Sequence, residues 1–260
     1  MDTNIAPKIS IITITKNRAR FIPEALKSAQ KQGFSAWELL VLDDASNDNT
    51  EAIVNEFKSK DPRIKYHRNS VNLGISGNRN LGLSLSKGKY IAVLDSDDIW
   101  IDKDKLQKQF DFLEKNLDYS LVGSNIKMVD DKNNFIKNTN FQTEDVDIRN
   151  KILRENQIPH STVMYRKDLA EKVGGYSEKL SCVEDLDFFL RLGLLGKFKN
   201  LKEITTVYTK HSGGISHKRK IAMAWNHNKI VWKNLGKYPN WFVAKFWAKL
   251  RILKSLFSFQ

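Results

Sequence analysis

The sequence predicts an α/β fold in which helices flank a mainly parallel sheet, followed by a C-terminal basic amphipathic helical extension. In the first 100 residues, short apolar runs rich in β-branched residues alternate with helix-like segments, as in repeated βαβ units. The chain has 260 residues, 41% hydrophobic and 28% charged, which is a globular composition. After Glu203 the sequence has no acidic residue, although eleven basic residues follow.

The predicted strands of the first 100 residues are short and apolar. Residues 8–15 form a β-branched run almost without charge, as expected for a strand that is buried on both faces. Three further strands are predicted at 37–42, 64–68 and 90–94. These four segments are the expected parallel sheet.

Helices are predicted between these strands. The first covers residues 22–32, because Pro23 stands near its start and Gly33 follows its end. The second covers about 50–60, and the third lies within 76–86. Strand and helix therefore alternate as a βαβ fold requires.

Beyond residue 100 the alternation is less regular. Helices are predicted over about 103–116 and over 184–195, and strands near 121–128 and over 161–166. The polar stretch 130–147 is predicted to be a surface insertion or a flexible loop.

Several protein classes are disfavoured. No GxGxxG follows the first strand and the sequence has no GxxxxGK[ST], which argues against a dinucleotide-binding Rossmann enzyme and a phosphate-loop protein. Cys182 is the sole cysteine, so neither an intramolecular disulfide nor a cysteine zinc cluster is expected, and a reducing cytoplasm is favoured. The sequence begins without a signal-peptide pattern and has no 18-residue apolar run, so secretion and a membrane span are not expected.

Acidic clusters follow two of the predicted strands. Asp43 and Asp44 end the second strand, and Asp95, Asp97 and Asp98 end the fourth. Open α/β sheets bind ligands at these strand ends, and closely spaced carboxylates need a cation or hydrogen-bond donors between them. An Asp-x-Asp pair supplies oxygen ligands suited to Mg²⁺ or Mn²⁺. The alternative is that these residues form turns and cap the helices that follow.

Other candidates also have a functional and a purely structural interpretation. Arg79, in a glycine-rich segment, would place a positive charge on a nucleotide, or would be a solvated surface arginine. Glu184 and Asp185 open the helix predicted over 184–195, where an exposed acidic first turn is favoured by the helix dipole. His211 would be a ligand or a solvated histidine, and His160 would line an acceptor pocket.

Together these motifs resemble family 2 glycosyltransferases of GT-A fold, a Rossmann-like architecture, over nearly all of residues 8–217. The six motifs, in order, are TKNR at 15–18, LDDASNDNT at 42–50, NLGISGNRN at 72–80, LDSDD at 94–98, VGGYSE at 173–178 and EDLD at 184–187. Ile14 and Lys16 stand where the family usually has Pro and Tyr, which leaves the base contacts at that strand end undefined.

The resemblance implies an inverting transfer, in which an acceptor hydroxyl attacks the anomeric carbon while a nucleoside diphosphate leaves from the opposite face. It implies that Thr15 and Asp44 hold the nucleoside and that Arg79 contacts the nucleotide. Asp97 and Asp98 would hold the ribose and the metal, with Asp98 as the metal ligand.

The resemblance also assigns the residues on the acceptor side. Asp185 would be the general base, and Glu184 would lie close to the acceptor. His211 would help to bind the metal, Mn²⁺ or Mg²⁺, or the diphosphate. The same resemblance places the catalytic domain at residues 1–217 and leaves 218–260 as a basic, aromatic extension.

The extension has the pattern of an interfacial helix. Up to Glu203 the chain has 32 basic and 30 acidic residues, so most of the net charge of +13 lies after it. From Trp241, apolar residues recur at spacings of one, three and four between Lys and Arg residues: Phe242, Val243, Phe246, Leu250, Leu253 and Phe257. Anionic lipid would attract such a helix. The alternative is packing on the catalytic domain or on a second subunit; no nucleic-acid recognition motif is present.

We therefore expect transfer of a hexose from a nucleotide sugar, UDP-linked, to a hydroxyl of a bacterial cell-surface glycan or glycolipid, such as lipopolysaccharide or capsule. The expected location is cytoplasmic, peripheral at the inner face of the plasma membrane. A sugar nucleotidyltransferase is the first alternative, but it needs a glycine-rich, basic triphosphate loop early in the chain. A non-catalytic basic membrane-binding module is the second, and Asp97, Asp98 and Asp185 argue against it.

Overall fold

The computed structural model describes residues 6–211 and 219–257. The strands are β1 (Ile9–Thr15), β2 (Trp37–Asp43), β3 (Ile64–Arg68), β4 (Tyr90–Val93), β5 (Ile99–Trp100), β6 (Tyr119–Asp130), β7 (Phe135–Asn138), β8 (Met164–Arg166) and β9 (Lys197–Lys210). They form one sheet in the order β3-β2-β1-β4-β8-β6-β9-β5, and β7 pairs with β6.

The sheet is mainly parallel. β1 lies between β2 and β4, with β3 outside β2, and all of these pairs are parallel. β8 runs antiparallel to β4 and to β6, whereas β9 pairs parallel with β6. The predicted parallel α/β sheet is confirmed, with reversals at β8 and at the edge strands β5 and β7.

Helices cover both faces of the sheet. They are α1 (Ile22–Gln30), α2 (Thr50–Lys60), α3 (Gly74–Leu85), α4 (Lys105–Lys115), α5 (Asp145–Ile152), α6 (Lys167–Lys172), α7 (Glu184–Gly193), α8 (Lys220–Lys233) and α9 (Trp241–Phe257). One core packs α1, α2 and α4 against the sheet, and a second core holds α3, α5, α6, α7, α8 and α9. Neighbouring strand residues such as Ile11 and Ile12 enter opposite cores, since side chains alternate along a strand.

Of the two interpretations of 130–147, the flexible loop is wrong, whereas a surface location is correct for β7, whose residues are all exposed. β6 continues to Asp130, β7 forms a hairpin with it, and α5 begins at Asp145. The Asp130 carboxylate accepts hydrogen bonds from the backbone N–H groups of Lys132 (2.9 Å) and Asn134 (2.8 Å), and Asn133 is left-handed with φ 65°. All four residues of β7 are exposed, and its apolar residues Phe135 and Ile136 are neighbours that point to opposite faces, so neither face of the strand is apolar throughout.

The C-terminal extension packs on the body of the protein. Trp241, Ala244 and Ala248 of α9 are buried in the core that also holds α7. The opposite side of α9 leaves apolar residues exposed, as described below. The predicted domain boundary at 217/218 and the side chain of Phe257 lie outside the described residues. Among the helices of the described segments, none has the length and hydropathy needed to cross a bilayer.

Candidate active site

A cleft of about 1550 Å³ opens at the carboxyl ends of β1, β2 and β4. Its walls also include the start of α7, the loop after α5, and parts of α8 and α9. All the site residues proposed from the sequence line this one cleft: Thr15, Asp44, Arg79, Asp97, Asp98, Glu184, Asp185 and His211. The strand-end location therefore agrees with the position at which α/β sheets bind ligands.

The loop after β2 is shaped by its own acidic side chains. Asp43 accepts a hydrogen bond from the Ser46 N–H (2.8 Å), and Asp48 accepts one from the Thr50 N–H (3.0 Å) at the start of α2. Ala45 between them is left-handed, with φ 58°. The turn interpretation is thus correct for Asp43, and Asp48 supports the start of α2.

Thr15 and Asp44 lie side by side, since the Asp44 N–H donates to the Thr15 carbonyl (2.9 Å). The Thr15 hydroxyl is buried and has no hydrogen-bond partner among the described residues. The Asp44 carboxylate accepts hydrogen bonds from the N–H groups of Leu73 (2.7 Å) and Gly74 (3.1 Å) where α3 begins. Thr15 therefore brings an unused polar group to the cleft wall, whereas Asp44 also supports the start of α3.

Arg79 is a buried ion-pair partner and not a solvated surface residue. Its side chain is 8% exposed, Nη1 donates to Glu184 Oε1 (2.5 Å), and Nη2 donates to Asp95 Oδ1 (3.2 Å). Burial opposes the charge of Arg79, but Asp95 and Glu184 outweigh it and raise the pKa of the guanidinium. Arg79 thus joins the loop after β4 to the start of α7.

Asp97 and His211 are in direct contact at the strand-end side of the cleft. His211 Nε2 lies 2.9 Å from Asp97 Oδ2, and Arg18 Nη2 lies 3.7 Å from the same oxygen. The His211 ring stacks on Phe21, with 5.2 Å between ring centroids. A carboxylate and an imidazole are therefore held together at the strand-end side of the cleft.

Asp98 is placed differently from Asp97. It is 2% exposed, its Oδ2 accepts a short hydrogen bond from the Ser161 hydroxyl, and its Oδ1 accepts one from the Thr209 N–H (3.2 Å). Burial and the negative charges of Asp97 and Asp95 raise the pKa of Asp98 well above its usual range. The structure thus brings Asp97, and not Asp98, to His211.

The start of α7 is buried. The interpretation of Glu184 and Asp185 as an exposed acidic first turn is therefore wrong. Val183 before it is left-handed, with φ 57°, an uncommon conformation for a β-branched residue. Glu184 is 6% exposed and Asp187 is 1% exposed. Asp187 accepts hydrogen bonds from Arg191 (2.8 Å) and Lys233 (2.7 Å), so it ties α7 to α8.

Asp185, at the start of α7, lines the same cleft as Asp97, and Asn156 Nδ2 donates to its Oδ2 (3.3 Å). Burial, together with the negative charge of Glu184, raises the pKa of Asp185, while His160 and Arg79 act in the opposite direction. A carboxylate with a raised pKa is a stronger proton acceptor than an ordinary aspartate.

His160 and Asp95 had only weak signals in the sequence, yet both line the cleft and contact each other. His160 Nε2 lies 3.0 Å from the Tyr176 hydroxyl, and its Nδ1 lies 3.5 Å from Asp95 Oδ2. Burial opposes ionisation of Asp95, but the charges of His160 and Arg79 hold its pKa well below the usual range. The signal for Asp95 was its place in LDSDD; Asn156 had no signal in the sequence.

The candidate metal ligands form an incomplete set by themselves. Across residues 6–211 and 219–257, no group of three or more His, Cys, Asp or Glu side chains forms a metal-binding cluster. The Asp97–His211 pair offers two ligand atoms on the same cleft wall. Mg²⁺ and similar ions are commonly held by one or two carboxylates together with substrate phosphates, so a two-residue set fits a cation shared with a diphosphate.

Comparison with known proteins identifies the relatives of this chain. The family model described as glycosyl transferase family 2 matches residues 10–174. An uncharacterised glycosyltransferase of Methanocaldococcus jannaschii is 33% identical over 190 residues, which cover 71% of this chain and 64% of that protein. The Escherichia coli enzyme WfgD, a UDP-Glc:α-D-GlcNAc-diphosphoundecaprenol β-1,3-glucosyltransferase, is 32% identical over 88% of this chain and 86% of its own length.

Solved structures share the fold. Staphylococcus aureus TarS 1–349 in complex with UDP-GlcNAc has a TM-score of 0.71 and 25% identity, over 97% of this chain and 73% of that chain. The mannosyltransferase PcManGT of Pyrobaculum calidifontis, in complex with GDP-Man and Mn²⁺, has a TM-score of 0.67 and 17% identity, over 99% of this chain and 77% of that chain. The predicted GT-A type fold is confirmed.

Proposed function

The chain belongs to glycosyl transferase family 2, and on that premise we propose that it moves a hexose from UDP to a hydroxyl of a bacterial cell-surface glycan or glycolipid. The observation that carries this proposal is one cleft that holds the Asp97–His211 pair at the strand ends and Asp185 at the start of α7. Two relatives support the substrate classes: TarS binds UDP-GlcNAc, and WfgD transfers from UDP-Glc to a lipid-linked sugar.

The nucleotide belongs at the strand-end wall. The unpartnered Thr15 hydroxyl and the Asp44 carboxylate are the polar groups available for the nucleoside, and Asp97 lies on the same wall. For Arg79 we propose a positioning role, because its guanidinium is already engaged by Asp95 and Glu184.

Asp97 and His211 are the residues that would hold a divalent cation. An imidazole beside the carboxylate favours Mn²⁺ over Mg²⁺, which prefers oxygen ligands. Asp98 would have a supporting role beside this pair, since its carboxylate already accepts hydrogen bonds from the Ser161 hydroxyl and the Thr209 N–H. The bound cation would neutralise charge on the leaving diphosphate.

Asp185 acts as the general base in this proposal. The acceptor oxygen forms a bond to the anomeric carbon as the bond from that carbon to the diphosphate breaks, and the electron pair leaves with UDP. The acceptor hydroxyl proton passes to the Asp185 carboxylate, whose raised pKa suits it to receive that proton. Asn156 orients the carboxylate through its 3.3 Å hydrogen bond.

The exposed side of α9 is the proposed membrane contact, at the cytoplasmic face of the plasma membrane. Phe242 is 80% exposed and Phe246 is 62% exposed, and both lie on one stripe of the helix with Leu253 and Leu256. Lys249 lies within this stripe and adds attraction to anionic lipid. The two alternatives for the extension are thus compatible, since one side of α9 packs inward and the other remains available.

A donor screen tests the proposed function. Purified protein is heated with each of a set of nucleotide sugars, with and without Mn²⁺, and its Tm and the release of free nucleotide are measured. We expect stabilisation by a UDP-sugar that requires Mn²⁺, together with slow UDP release. If no nucleotide sugar raises the Tm, the proposal is contradicted.

A further inference from the structure

Three basic residues lie where α5 and α9 border the cleft. Lys151 and Arg251 line the cleft itself, and Lys151 and Arg154 line an adjoining cavity of about 560 Å³. Arg251 Nη2 donates to the Arg154 carbonyl (3.0 Å), which holds the two segments together. These residues, Lys151, Arg154 and Arg251, are named the α5–α9 cation cluster.

Arg251 is fixed in place by a buried neutral histidine. Its Nη1 lies 2.9 Å from Nδ1 of His227, which is 4% exposed. Burial and the charge of Arg251 lower the pKa of His227 to about 4, so this ring nitrogen accepts the hydrogen bond. The guanidinium has five N–H donors and uses two of them in these contacts, which leaves donors for a ligand.

The cluster has no neutralising partner close by. Among the residues that the structure describes, no carboxylate lies within 4.0 Å of a charged nitrogen of Lys151, Arg154 or Arg251. Glu155 is the acidic residue that acts on Arg251 from a longer distance. By contrast, Arg79 and Arg18 in the same cleft each face carboxylates. Arg154 also lies over the Trp247 ring, 4.6 Å from its centroid, but this contact does not neutralise its charge. Cations held together without an ion pair favour an anionic ligand.

The position of the cluster relates it to the acceptor and not to the donor. Arg154 lies two residues before Asn156, whose side chain binds Asp185, so one short segment joins the cluster to the proposed base. The adjoining cavity is also lined by Val243, which is 47% exposed on α9. The cluster thus lies between the base and the exposed apolar side of α9.

We infer that the α5–α9 cation cluster binds a phosphate or diphosphate group of the acceptor, as in a lipid-linked sugar whose lipid lies along the exposed side of α9. This inference rests on the proposed function, because it assumes that the acceptor enters beside Asp185. The chemistry that recognises the ligand is that of Arg and Lys N–H groups toward phosphate oxygens.

The test measures binding of geranyl diphosphate by calorimetry to protein whose donor site is saturated with UDP. We expect Arg251→Gln to weaken this binding at least about tenfold, since a hydrogen-bonded charge is lost, and Arg251→Lys to restore most of it. Lys229→Gln, which removes an exposed charge of α8 outside the cleft, should bind like the wild type. Geraniol, which lacks phosphate, should not compete.

A second experiment distinguishes binding of an acceptor phosphate from attraction to the lipid surface. Binding to phosphatidylglycerol vesicles should stay within about twofold for Arg251→Gln, because attraction to bulk lipid is spread over many basic residues. The inference would be overturned if Arg251→Gln bound geranyl diphosphate as tightly as the wild type, or if this variant lost only its binding to vesicles. Binding of geranyl diphosphate that occurs without UDP but is lost when UDP saturates the donor site would also overturn it, by placing the diphosphate at the donor end. Failure of the wild type to bind UDP would instead contradict the proposed function.

Discussion

The two walls of the cleft differ in origin and in charge. The strand-end wall carries carboxylates from the loops after β2 and β4, together with His211 after β9. The helical wall carries Asp185 at the start of α7 and, beyond it, the cations of α5 and α9. A wall rich in carboxylates fits a nucleotide diphosphate only with a cation between them. A wall that brings the Asp185 carboxylate near cations without ion pairs fits an acceptor that is anionic.

The largest expected effect lies on the strand-end wall. Asp97→Asn should remove one of two proposed cation ligands and lower the rate of UDP release by about 10³-fold, because metal assistance is worth several kcal/mol. Chelation of the wild type should give a similar loss. Steady-state kinetics in the presence of excess EDTA provide the check, and an unchanged rate would remove the cation from this wall.

Arg79 joins the two walls through its ion pairs, so its replacement tests whether it stabilises the fold or contacts the nucleotide. Arg79→Met leaves Asp95 and Glu184 unpaired in a buried setting and should lower the free energy of unfolding by about 3 kcal/mol, as for a broken buried ion pair. UDP affinity should change less than about threefold. Urea unfolding and UDP calorimetry decide the role: a large loss of UDP affinity in a stable variant would show a nucleotide contact, as the family resemblance implies.

A smaller effect is expected for substitutions on the exposed side of α9. Phe246→Glu should reduce binding to phosphatidylglycerol vesicles about tenfold, because a buried Phe contributes 1.5 to 3 kcal/mol, roughly. UDP binding should be unaffected. Deletion of the whole helix is a poorer test, since Trp241 belongs to the core.

Phe135→Glu is the matched control for this prediction, because Phe135 is 60% exposed on β7 and Phe246 is 62% exposed on α9. Vesicle sedimentation should show wild-type binding for Phe135→Glu. Equal losses in both variants would mean that the α9 side is not a specific membrane contact.

The smallest effect concerns pH. The raised pKa of Asp185 means that its carboxyl stays protonated to a higher pH than an ordinary aspartate, and a protonated carboxyl cannot accept the acceptor proton. The rate should therefore fall with decreasing pH through a midpoint above about 4, the ordinary value. Asp95 on the other wall, whose pKa is lowered, stays ionised across that range. A midpoint below about 4 in the pH profile of UDP release would contradict this assignment.

The strand-end wall was largely predictable from the sequence. Thr15 ends β1, Asp44 directly follows β2, and Asp97 lies shortly after β4, so the strand pattern places them at one sheet edge. The division of labour between Asp97 and Asp98 was not predictable, because it depends on Ser161 and Thr209, which are far away in sequence.

The helical wall depends on long-range packing, which a local pattern does not encode. Arg79 meets Glu184 across 105 residues, and Arg251 meets Arg154 across 97. The amphipathic pattern of α9 was visible, but not which side packs inward, because small residues such as Ala244 and Ala248 decide this through close helix contact. The hairpin of β6 and β7 was missed for a related reason, because β7 is exposed and neither of its faces is apolar throughout.

The division of the cleft into a nucleotide wall and a base wall is tested most directly by UDP affinity and UDP release measured on the same preparation of Asp185→Asn. This variant keeps the size of the side chain but cannot accept a proton. We predict a UDP affinity within about twofold of the wild type and a rate at least about 10²-fold lower, the usual loss for a general base. A near wild-type rate would remove Asp185 from the mechanism, and loss of UDP binding would show that the two walls are not separate in function.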